Sequence, residues 1–459
     1  MNHLGDTIAA VATAPVEAGI GVVRISGPEA LQVGDRAFRP RRGKPLSQRR
    51  SHTVSYGFVV DRFGQQVDEA LALVMRGPHS YTGEDVVELQ CHGGPVAVRK
   101  VLQVALEAGA RLAEPGEFTR RAFLNGRLDL SQAEAVVEVV RAKTDRALEA
   151  AVRQLQGSLG QEIRAIRERL LEIAAQLEAE IDFPELDLET EGRDAVLAGC
   201  RWCLERIDGL LKGVRRGELL RSGVRVVLAG RPNVGKSSLL NRLVRKERAI
   251  VTAIPGTTRD VIEEWVNLEG VPVLYADTAG IRETTDEVER FGVDRSREML
   301  QQADLVLWVV DGEAGLTPED RAVRRWVPEG RRVIGVINKI DLVPPEQVQA
   351  VAASLGEEQV IAVSARSGEG IAELEQAVLR EAGALDMEEG FVANERQAEA
   401  LRRAANSLQA ALETAALGFG PDLISVDIRA AWTTLGEITG ETVHEELLDQ
   451  IFSRFCIGK

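Results

Sequence analysis

The feature that most constrains the fold is a glycine-rich loop directly after an apolar strand. The apolar run Val224–Ala229 leads into GRPNVGKS, from Gly230 to Ser237, which matches the pattern GxxxxGK[ST]. The glycines let the backbone wrap around phosphate groups, and the positive end of the following helix adds to the attraction. We therefore predict a strand–loop–helix unit that binds nucleotide phosphates, with Lys236 at the β- and γ-phosphates and Ser237 on Mg²⁺.

From about Ser222 to Leu379, apolar strands alternate with helix-length segments. The strands read VRVVLAG, VPVLYAD, ADLVLWVVD, RRVIGVIN and QVIAVSA. Near-continuous apolar strands separated by helices are typical of a mostly parallel sheet that is covered on both faces. We predict an α/β nucleotide-binding domain over this segment.

A second motif indicates which base is bound. NKID, from Asn338 to Asp341, follows one of the strands and fits the pattern NKxD. A carboxylate at Asp341 can accept hydrogen bonds from the ring N–H and the 2-amino group of guanine. Adenine lacks both donors, so such a site discriminates strongly against it. Ser364 and Ala365, after the last strand, fit the loop that closes over the base, and guanine is therefore predicted.

Two further loops fit the switch regions of a GTP-binding protein. DTAG, from Asp277 to Gly280, ends the strand VLYAD; Asp277 would hold the water shell of Mg²⁺ and the Gly280 N–H would meet the γ-phosphate. GTTRD, residues 256–260, supplies a hydroxyl group for Mg²⁺, and we assign that role to Thr258. Five loops in this order predict that the chain binds GTP.

The group that positions the attacking water is not evident from these loops. Ile281 stands where many Ras-like GTPases have glutamine, and an aliphatic side chain cannot orient water. Four acidic residues nearby remain open as substitutes, namely Glu283, Asp286, Glu287 and Glu289. No arginine finger is identified from the sequence either, although Arg282, Arg290 and Arg295 are close. Asn233 in the P-loop could also ligate a monovalent cation that supplies positive charge at the phosphates.

Helical patterns flank the nucleotide-binding segment on both sides. The first 119 residues predict a small α/β domain, with strands in DTIAAVAT, GVVRISG, HTVSYGFVV and EALALVM. One helical face then follows at Ile163, Ile166, Leu170, Ile173, Leu177 and Ile181, and Pro184 fits the end of that helix. Helical periodicity returns after Ala384. We predict that the two helical segments pack together around an inserted nucleotide-binding domain; two independent helical domains are the alternative.

Composition bounds the class of protein. The 459 residues carry a formal net charge of −15, and neither a signal peptide nor a membrane-length apolar run is evident, so we predict a cytoplasmic protein without membrane contact. Seven basic residues lie between Arg36 and Arg50, which we interpret as a solvated loop. Cys200 and Cys203 form a CxxC without a second pair or a nearby histidine, so we predict half-buried helix residues rather than zinc ligands.

The whole chain resembles the family of tRNA-modification GTPases called MnmE or TrmE. Besides the loops above, the resemblance rests on GVVRISG, YTGEDVVELQCHGGP, PGEFTRRAFLNGRLDLSQAEAV and the C-terminal FCIGK. It implies an α/β fold combined with helices: an N-terminal folate-binding and dimerisation domain at 1–119, a helical domain at 120–216 and 384–459, and an inserted Ras-like G domain at 217–383.

The resemblance also implies roles for individual residues. It places Mg²⁺ on Ser237 and Thr258, and K⁺ on Asn233, Thr252, Ile254 and Thr257, where Ile254 offers only its carbonyl. It implies catalytic roles for Lys236, Asp277 and Glu289, with Glu289 orienting the water. Pro255 stands where some relatives have alanine and removes no ligand. The implied GTP contacts are Asn233, Val234, Gly235, Lys236, Ser237, Ser238, Thr252, Ala253, Ile254, Pro255, Gly256, Thr257, Thr258, Asp277, Thr278, Ala279, Gly280, Asn338, Lys339, Asp341, Ser364 and Ala365.

For 5-formyl-tetrahydrofolate, the resemblance implies contacts from Arg24, Glu88, Arg127 and Lys459. A carboxylate can pair with the ring N–H and amino group of a pterin, and basic residues suit the anionic glutamate tail. Lysine often stands where this chain has Arg127, which keeps the charge but changes the hydrogen-bond geometry. From the residues alone, Arg24 and Glu88 would be ordinary ion-pair residues. Cys456, beside this site, could be a nucleophile or a packing residue.

The implied activity is the hydrolysis of GTP to GDP and phosphate, stimulated by K⁺ and dependent on dimerisation. The implied partner of the homodimer is the FAD-containing MnmG (GidA), in a heterotetramer or larger complex that contacts tRNA mainly through MnmG. Together they would install a 5-carboxymethylaminomethyl or aminomethyl group on the wobble uridine, using a tetrahydrofolate one-carbon unit. Two alternatives stay open: a ribosome-assembly or other RNA-associated regulatory GTPase without modification chemistry, and a GTP-dependent scaffold.

Overall fold

The computed structural model describes residues 5–182, 190–244, 263–278, 297–384 and 394–459. The chain divides into two compact units, which are described separately. The first comprises residues up to 137, 154–203 and 403–459; the second comprises 138–153 and 204–402. In the described ranges, no helix has the length and apolar character needed to cross a membrane.

The first unit is built on a mixed sheet near the N-terminus. Among the described residues seven strands form it, in the order β3-β4-β5-β6-β2-β1-β7: β1 Ile8–Val11, β2 Ala18–Ser26, β3 Phe38–Pro40, β4 Thr53–Val60, β5 Gln66–Met75, β6 Val86–Gly93 and β7 Arg111–Leu112. Helices α1 (Ala30–Ala37) and α2 (Pro95–Glu107) cover one face, where Val23, Ile25 and Leu89 are buried. The four strands predicted for this domain are confirmed.

Because side chains alternate along a strand, the residues between these core positions point to the other face. Arg24 lies between Val23 and Ile25 on β2, and its partner across the ladder is Glu88 on β6. The sheet therefore places this charged pair on the face opposite α1 and α2.

Helices follow this sheet along the chain: α3 Glu117–Leu124, α4 Leu130–Arg141, α5 Asp145–Leu155, α6 Ser158–Asp182 and α7 Thr190–Ser222. The predicted apolar face of α6 is buried from Ile163 to Leu177. Ile181 was expected on that face but is 40% exposed, because it lies in the last turn of the helix, beyond the buried part. Pro184 lies outside the described residues.

The second unit contains a mostly parallel sheet. Six strands form it in the described part of the chain, in the order β13-β12-β11-β8-β10-β9: β8 Val224–Ala229, β9 Glu263–Leu268, β10 Val271–Asp277, β11 Leu305–Asp311, β12 Arg332–Asn338 and β13 Val360–Ala362. Four helices described here are α8 Lys236–Leu243, α9 Pro318–Arg324, α10 Pro345–Leu355 and α11 Ile371–Glu381. The predicted parallel sheet is confirmed. The antiparallel edge strand β9 was not predicted, because its first two residues are exposed glutamates and it lacks a continuous apolar run.

Helices from both ends of the chain pack in the first unit. After the second sheet come α12 Glu395–Ala416, α13 Pro421–Thr439 and α14 Glu445–Phe452. Helix α13 packs along α6, and α14 buries Leu448 and Phe452 against Leu130 of α4. The nucleotide-binding unit is therefore inserted between helices that pack together, and the alternative of two independent helical domains is wrong. The four domain bounds given above stay a prediction.

Two interpretations of local segments need correction. Cys200 and Cys203 are fully rather than half buried, at 1% and 0% exposure, because they face α6 from inside α7. The segment from Arg36 to Arg50 is not a single loop: Arg36 lies in the last turn of α1 and Arg39 lies in β3. Most of its basic side chains are exposed, as expected.

Candidate functional site

The phosphate-binding loop connects β8, a central strand of the second sheet, to α8. Asn233 and Gly235 adopt left-handed backbone conformations, with φ of 66° and 94°. A side chain at Gly235 would also place its Cβ 2.3 Å from the Asn338 amide nitrogen, so only glycine fits there. The loop thus brings its backbone close to the NKxD segment.

Lys236, the first residue of α8, is held inside this loop. Its ammonium group donates to the carbonyl oxygens of Gly230 at 2.7 Å and Arg231 at 3.0 Å. Burial lowers the pKa of Lys236, and the nearby carboxylates of Asp277 and Asp320 only partly oppose this. An ammonium has three donors, and the described residues accept two, which leaves one for a phosphate oxygen.

Asp277 ends β10, next to β8, and approaches the start of α8. The Ser237 hydroxyl donates to Asp277 Oδ2 at 2.8 Å. Asp277 is 6% exposed, and its Oδ1 has no hydrogen-bond donor among the described residues. Thr278 is buried, and its hydroxyl donates to the Leu228 carbonyl at 2.7 Å. An unsatisfied carboxylate oxygen beside a serine hydroxyl suits a hard cation such as Mg²⁺.

Asn338 joins the loops that were predicted to bind the phosphates and the base. Its amide nitrogen donates to the Val234 carbonyl at 2.8 Å, and its amide oxygen accepts from the Ala365 N–H at 3.0 Å. Asn338 is 1% exposed. The nitrogen and the oxygen of this amide therefore bond different loops, which fixes the spacing between the phosphate and base ends of the site.

The base end of the site is formed by Asp341 and Ser364. The Ser364 hydroxyl donates to Asp341 Oδ1 at 2.7 Å and accepts from the Ser367 N–H, while Asp341 itself is exposed. Lys339 has a left-handed backbone, and its ammonium bonds Asp311 Oδ2 at 2.6 Å. Burial alone would raise the pKa of Asp311, but Lys339 and two backbone N–H groups hold it below its usual value.

Of the remaining predicted nucleotide-site residues, some lie within the described part of the chain and others do not. Ser238 follows Ser237 on α8 and is exposed. Several predicted contacts lie outside the described residues: Thr252, Ala253, Ile254, Pro255, Gly256, Thr257, Thr258, Ala279, Gly280 and Glu289. The described part of the site thus comprises the phosphate loop, Asp277, Thr278 and the two base loops.

Two supporting residues escaped the sequence analysis. Asp311, at the end of β11, binds Lys339, and its position at the carboxyl end of a parallel strand was the available signal. Arg242 on α8 donates to the Ala365 and Arg366 carbonyls at 3.2 and 2.7 Å, which anchors the second base loop. No motif marks an arginine that acts through backbone carbonyls.

A second cluster lies on the open face of the first sheet. Arg24 donates from Nε to Glu88 Oε1 at 2.8 Å, and its guanidinium lies 5.0 Å from the ring centroid of Tyr81 and 5.6 Å from that of Phe118. Arg127 lies 5.1 Å from the same Tyr81 ring and donates to the Tyr81 carbonyl at 3.0 Å. Three of the four predicted folate contacts therefore meet around Tyr81.

The C-terminal residues lie against the first sheet. Gly116 N–H is 3.5 Å from the Cys456 carbonyl, and a Cβ on Gly458 would lie 2.0 Å from the Val11 carbonyl. Val11 follows Ala10, which pairs with Arg24 across the ladder. The fourth predicted contact, Lys459, thus ends a segment docked next to the strand that carries Arg24. Cys456 is exposed.

A partly buried ionic network lies next to the segment that carries Tyr81. Arg121, whose side chain is 3% exposed, bonds carboxylates of Asp6, Glu84 and Glu117. Glu84 Oε2 also accepts from the Ser26 hydroxyl, which contacts Thr82. No sequence motif indicates this network, because its members come from distant parts of the chain.

Taken together, the inserted parallel sheet, the phosphate loop on α8 and the paired base loops define a GTPase-type G domain within a larger helical protein. Family models for the MnmE helical domain and for the N-terminus of the GTP-binding protein TrmE match residues 130–456 and 7–127. The chain belongs to the MnmE family.

Two relatives with this family name are similar to the chain over nearly its full length. The tRNA modification GTPase MnmE of Symbiobacterium thermophilum is 65% identical over 454 residues, covering 99% of each chain. That of Bacillus subtilis is 47% identical over 459 residues, covering 99% of this chain and 100% of its own. Among solved structures, a variant of Aquifex aeolicus Era bound to GDP·AlF4⁻ is similar at 26% identity and a TM-score of 0.31, covering 40% of this chain and 66% of that one. So low a TM-score does not itself establish a shared fold.

Proposed function

We propose that this chain hydrolyses GTP to GDP and phosphate in a K⁺-stimulated, dimerisation-dependent reaction that serves tRNA wobble-uridine modification. The observation that carries the GTPase assignment is the double hydrogen bond of Asn338, which ties the phosphate loop to the base loop. With Asp341 at one end and Lys236 at the other, this spacing suits a guanine nucleotide.

At the phosphate end, Lys236 supplies a positive charge from a partly desolvated position, and Ser237 with Asp277 would hold Mg²⁺. When bound, Mg²⁺ neutralises charge that develops on the phosphates during hydrolysis. Thr258 would complete its coordination, and Glu289 would orient the attacking water; both belong to the proposal from family resemblance.

Asn233 is proposed to hold K⁺, together with Thr252, Ile254 and Thr257. Its left-handed backbone places it on the turn of the phosphate loop, its side chain is exposed, and no described residue bonds its carboxamide. A free amide oxygen beside the phosphates suits a monovalent cation, whose charge would replace that of an arginine finger.

The test is the rate of GTP hydrolysis by the full chain in KCl and in NaCl of equal ionic strength. We expect a rate about tenfold or more higher in KCl, the size of an electrostatic contribution at a phosphoryl group. Asn233→Ala should remove most of this difference while GTP binding persists. Asn241→Ala, an exposed carboxamide on α8, is the matched control. Equal wild-type rates in the two salts would refute the K⁺ proposal.

We also propose that the cluster around Tyr81 binds 5-formyl-tetrahydrofolate. Glu88 has one oxygen bonded to Arg24 and a side chain only 14% exposed, so its second oxygen can accept from a pterin in a sheltered position. Tyr81 offers a flat surface, and Arg127 and Lys459 would meet the anionic tail. Bound folate would supply the one-carbon unit.

The same sheet face supports a homodimer through the N-terminal domain. Ile20, Val54, Tyr56 and Leu71 are large apolar residues on this face and are at least 40% exposed. The ladder pairs Val54 with Leu73 and Leu73 with Glu88, so the apolar surface continues directly into the folate cluster. An exposed apolar surface of this kind is typical of an interface, and a second copy of the chain would cover it.

Folate binding is tested by calorimetry of 5-formyl-tetrahydrofolate with the full chain. Glu88→Gln should weaken binding by about tenfold or more, because an amide presents a donor to the donors of the pterin. Glu149→Gln, an exposed carboxyl in the other unit, should have no effect. If the two variants bind folate equally well, the Tyr81 cluster is not the site.

The modification step is proposed to require MnmG, which with this homodimer would form a heterotetramer or larger complex in the cytoplasm and carry most of the tRNA contact. Mass spectrometry of wobble nucleosides in a deletion strain tests this role. Wild-type protein should restore 5-carboxymethylaminomethyl- or aminomethyl-uridine, and Asp277→Ala should not. An unchanged nucleoside profile in the deletion strain would instead support a ribosome-assembly or scaffold role.

A further inference from the structure

A basic surface borders a cleft at the edge of the first sheet. Residues 36–62 carry eight basic side chains and one acidic side chain, in a chain whose net charge is −15. The cleft has a volume of about 750 Å³ and lies between the edge strand β3, the loop that follows it, the β4–β5 turn and the end of α2. Arg36, Arg39 and Arg62 line the cleft, and the exposed Arg42 and Lys44 flank Gly43, which also lines it; we call these five basic residues the rim.

The charges on this rim are available to a ligand. Arg39, Arg42, Lys44 and Arg62 are exposed, and within the described ranges no carboxylate lies within 4.0 Å of them. Arg36 makes a single weak pair with Glu29 at 3.4 Å. Four unpaired basic groups close together in an acidic protein create a local positive potential that attracts anions.

The carboxylates that line the cleft act within the protein. Asp35 accepts from the Ser47 N–H, Asp61 from the N–H groups of Phe63 and Gln65, and Glu107 from the Gln103 amide. Each therefore holds a loop or helix in place. With Arg42 and Lys44 of the adjoining loop, five basic groups stand against these three carboxylates, so the surface has an excess of positive charge.

The loop that presents the rim is fixed. Arg49 donates to the Arg42 and Lys44 carbonyls at 2.9 and 3.0 Å, and Arg76 donates to the Ser47 carbonyl at 2.6 Å. With the backbone held in this way, binding an extended anion costs less ordering of the loop.

An exposed aromatic ring stands among these charges. Phe63, in the β4–β5 turn, is 80% exposed, and the Arg62 guanidinium lies 4.7 Å from its ring centroid. A fully exposed phenylalanine gains nothing from the protein core. Basic groups that track a phosphate backbone, with an aromatic ring on which a base can stack, are how proteins bind unpaired RNA.

We propose that the basic rim and Phe63 form an RNA-binding surface, which holds the phosphates of an unpaired RNA segment on the rim and one base on the Phe63 ring. The choice of tRNA as the natural ligand rests on the proposed function. The proposal that this surface binds RNA does not depend on it. The chain would then contact tRNA directly rather than only through a partner.

The experiment measures RNA binding by the full chain alone, by fluorescence anisotropy at several KCl concentrations. The probes are an unmodified tRNA transcript and a single-stranded oligouridylate. The rim variant replaces four charges, by Arg39→Gln, Arg42→Gln, Lys44→Gln and Arg62→Gln. The control variant removes four exposed charges elsewhere, by Arg201→Gln, Lys212→Gln, Arg325→Gln and Arg380→Gln. A third variant is Phe63→Ser.

The rim variant should bind both probes about tenfold or more weakly at low salt, with a log–log salt slope shallower by about 3, since four phosphate contacts on a single strand each contribute about 0.7. Phe63→Ser should weaken binding by about fivefold or more, from the loss of one stacked base. The control should remain within about twofold of wild type, because its charges lie outside the surface.

Undetectable RNA binding by wild type, or equal losses in the rim and control variants, would overturn the proposal. If polyglutamate competes with RNA and Phe63→Ser binds RNA as well as wild type, the surface recognises an acidic protein instead, and the proposal also fails. GTP hydrolysis in KCl is measured on the same samples. A hydrolysis defect common to wild type and all variants counts against the proposed function but leaves the RNA result intact.

Discussion

The nucleotide cluster and the Tyr81 cluster apply similar chemistry in different parts of the fold. In each, a carboxylate has one oxygen held by a neighbour, Asp341 by Ser364 and Glu88 by Arg24. In the proposed function, the other oxygen would accept hydrogen bonds from the donors of a flat ring. In the nucleotide cluster, the residues follow the carboxyl ends of adjacent parallel strands. In the Tyr81 cluster, they come from β2, β6 and two loops.

This difference determines what stabilises each cluster. The nucleotide loops are joined by hydrogen bonds through the amide of Asn338, and each loop is a short continuous segment. The Tyr81 segment instead packs against an ionic network in which Arg121 and Glu117 are buried and Asp6 and Glu84 are partly exposed. Removing one charge from the network should therefore lower the free energy of unfolding of the first unit more than removing one loop contact lowers that of the second unit.

The largest expected effect is on the buried network. Arg121→Met should lower the free energy of unfolding of the first unit by about 3 kcal/mol, because it leaves Glu84 without its arginine and leaves Asp6 and Glu117 with Arg111 alone. Urea unfolding followed by hydrogen exchange in residues 111–125 measures this. Arg120→Met, which removes a more exposed partner of Asp449, should cost at most about 1 kcal/mol. Similar costs for the two variants would show that the network does not carry the stability of this unit.

The next effect tests the base end of the nucleotide cluster. Asp341→Asn should weaken GTP binding by about 100-fold, because an amide donor would face the donors of guanine. The same change should favour xanthosine triphosphate, whose ring carbonyl accepts from the new amide. Both affinities can be measured by calorimetry. Glu346→Gln, a nearby exposed carboxyl on α10, is the control, and an equal loss of affinity in that variant would contradict the assignment of Asp341.

The same contrast explains how far the sequence alone could lead. The phosphate loop, NKxD and the parallel strands were predicted because each motif is local: a glycine spacing, an apolar run or a tetrapeptide suffices. From the residues alone, Arg24 and Glu88 were only candidates for an ion pair. Their pairing depends on the register of β2 on β6, and their position beside Tyr81 and Arg127 depends on tertiary packing. The Arg121 network was missed, because Arg121 and Asp6 lie 115 positions apart.

The errors have related causes. Periodicity assigns a residue to a helical face but does not show where the neighbouring helix stops, so Ile181 was misplaced. CxxC spacing describes one helix, whereas the full burial of Cys200 and Cys203 comes from packing against another. Edge strand β9 is fully buried only at Val266 and Leu268, so it lacks the continuous apolar run by which the other strands were recognised.

Acid should affect the first unit through Glu117. Burial alone would raise the pKa of Glu117, but hydrogen bonds from Arg111, the Glu114 N–H and Arg121 hold it below its usual value of 4.5. A depressed pKa in the folded state contributes stability that is present above pH 4.5 and is lost as the pH falls through the lower folded value. Glu117→Gln should flatten this loss in unfolding curves between pH 6 and 3, whereas the exposed Glu114→Gln should follow wild type. Parallel curves for wild type and Glu117→Gln would show that another carboxyl is responsible.

The smallest expected effect concerns a long-range contact in the second unit that no loop motif reveals. The Thr144 hydroxyl donates to the Gly270 carbonyl at 2.7 Å, in the turn between β9 and β10, and accepts from the Ala147 N–H at the start of α5. Thr144→Val keeps the shape but removes both bonds, which should cost about 1–2 kcal/mol. Faster hydrogen exchange in the β9–β10 turn and in the first turn of α5 would report this loss.

Thr144→Ser retains the hydroxyl and should exchange as wild type does. Strand β10 ends at Asp277, so the turn that Thr144 holds belongs to the strand that carries this carboxylate into the nucleotide cluster. If Thr144→Val left exchange in the turn unchanged, the hairpin would be held by two other contacts, namely Lys143 of the α4–α5 connection over the Trp265 ring and Arg146 of α5 against Gly270. Unlike the buried network of the first unit, this attachment would then be spread over several weak contacts.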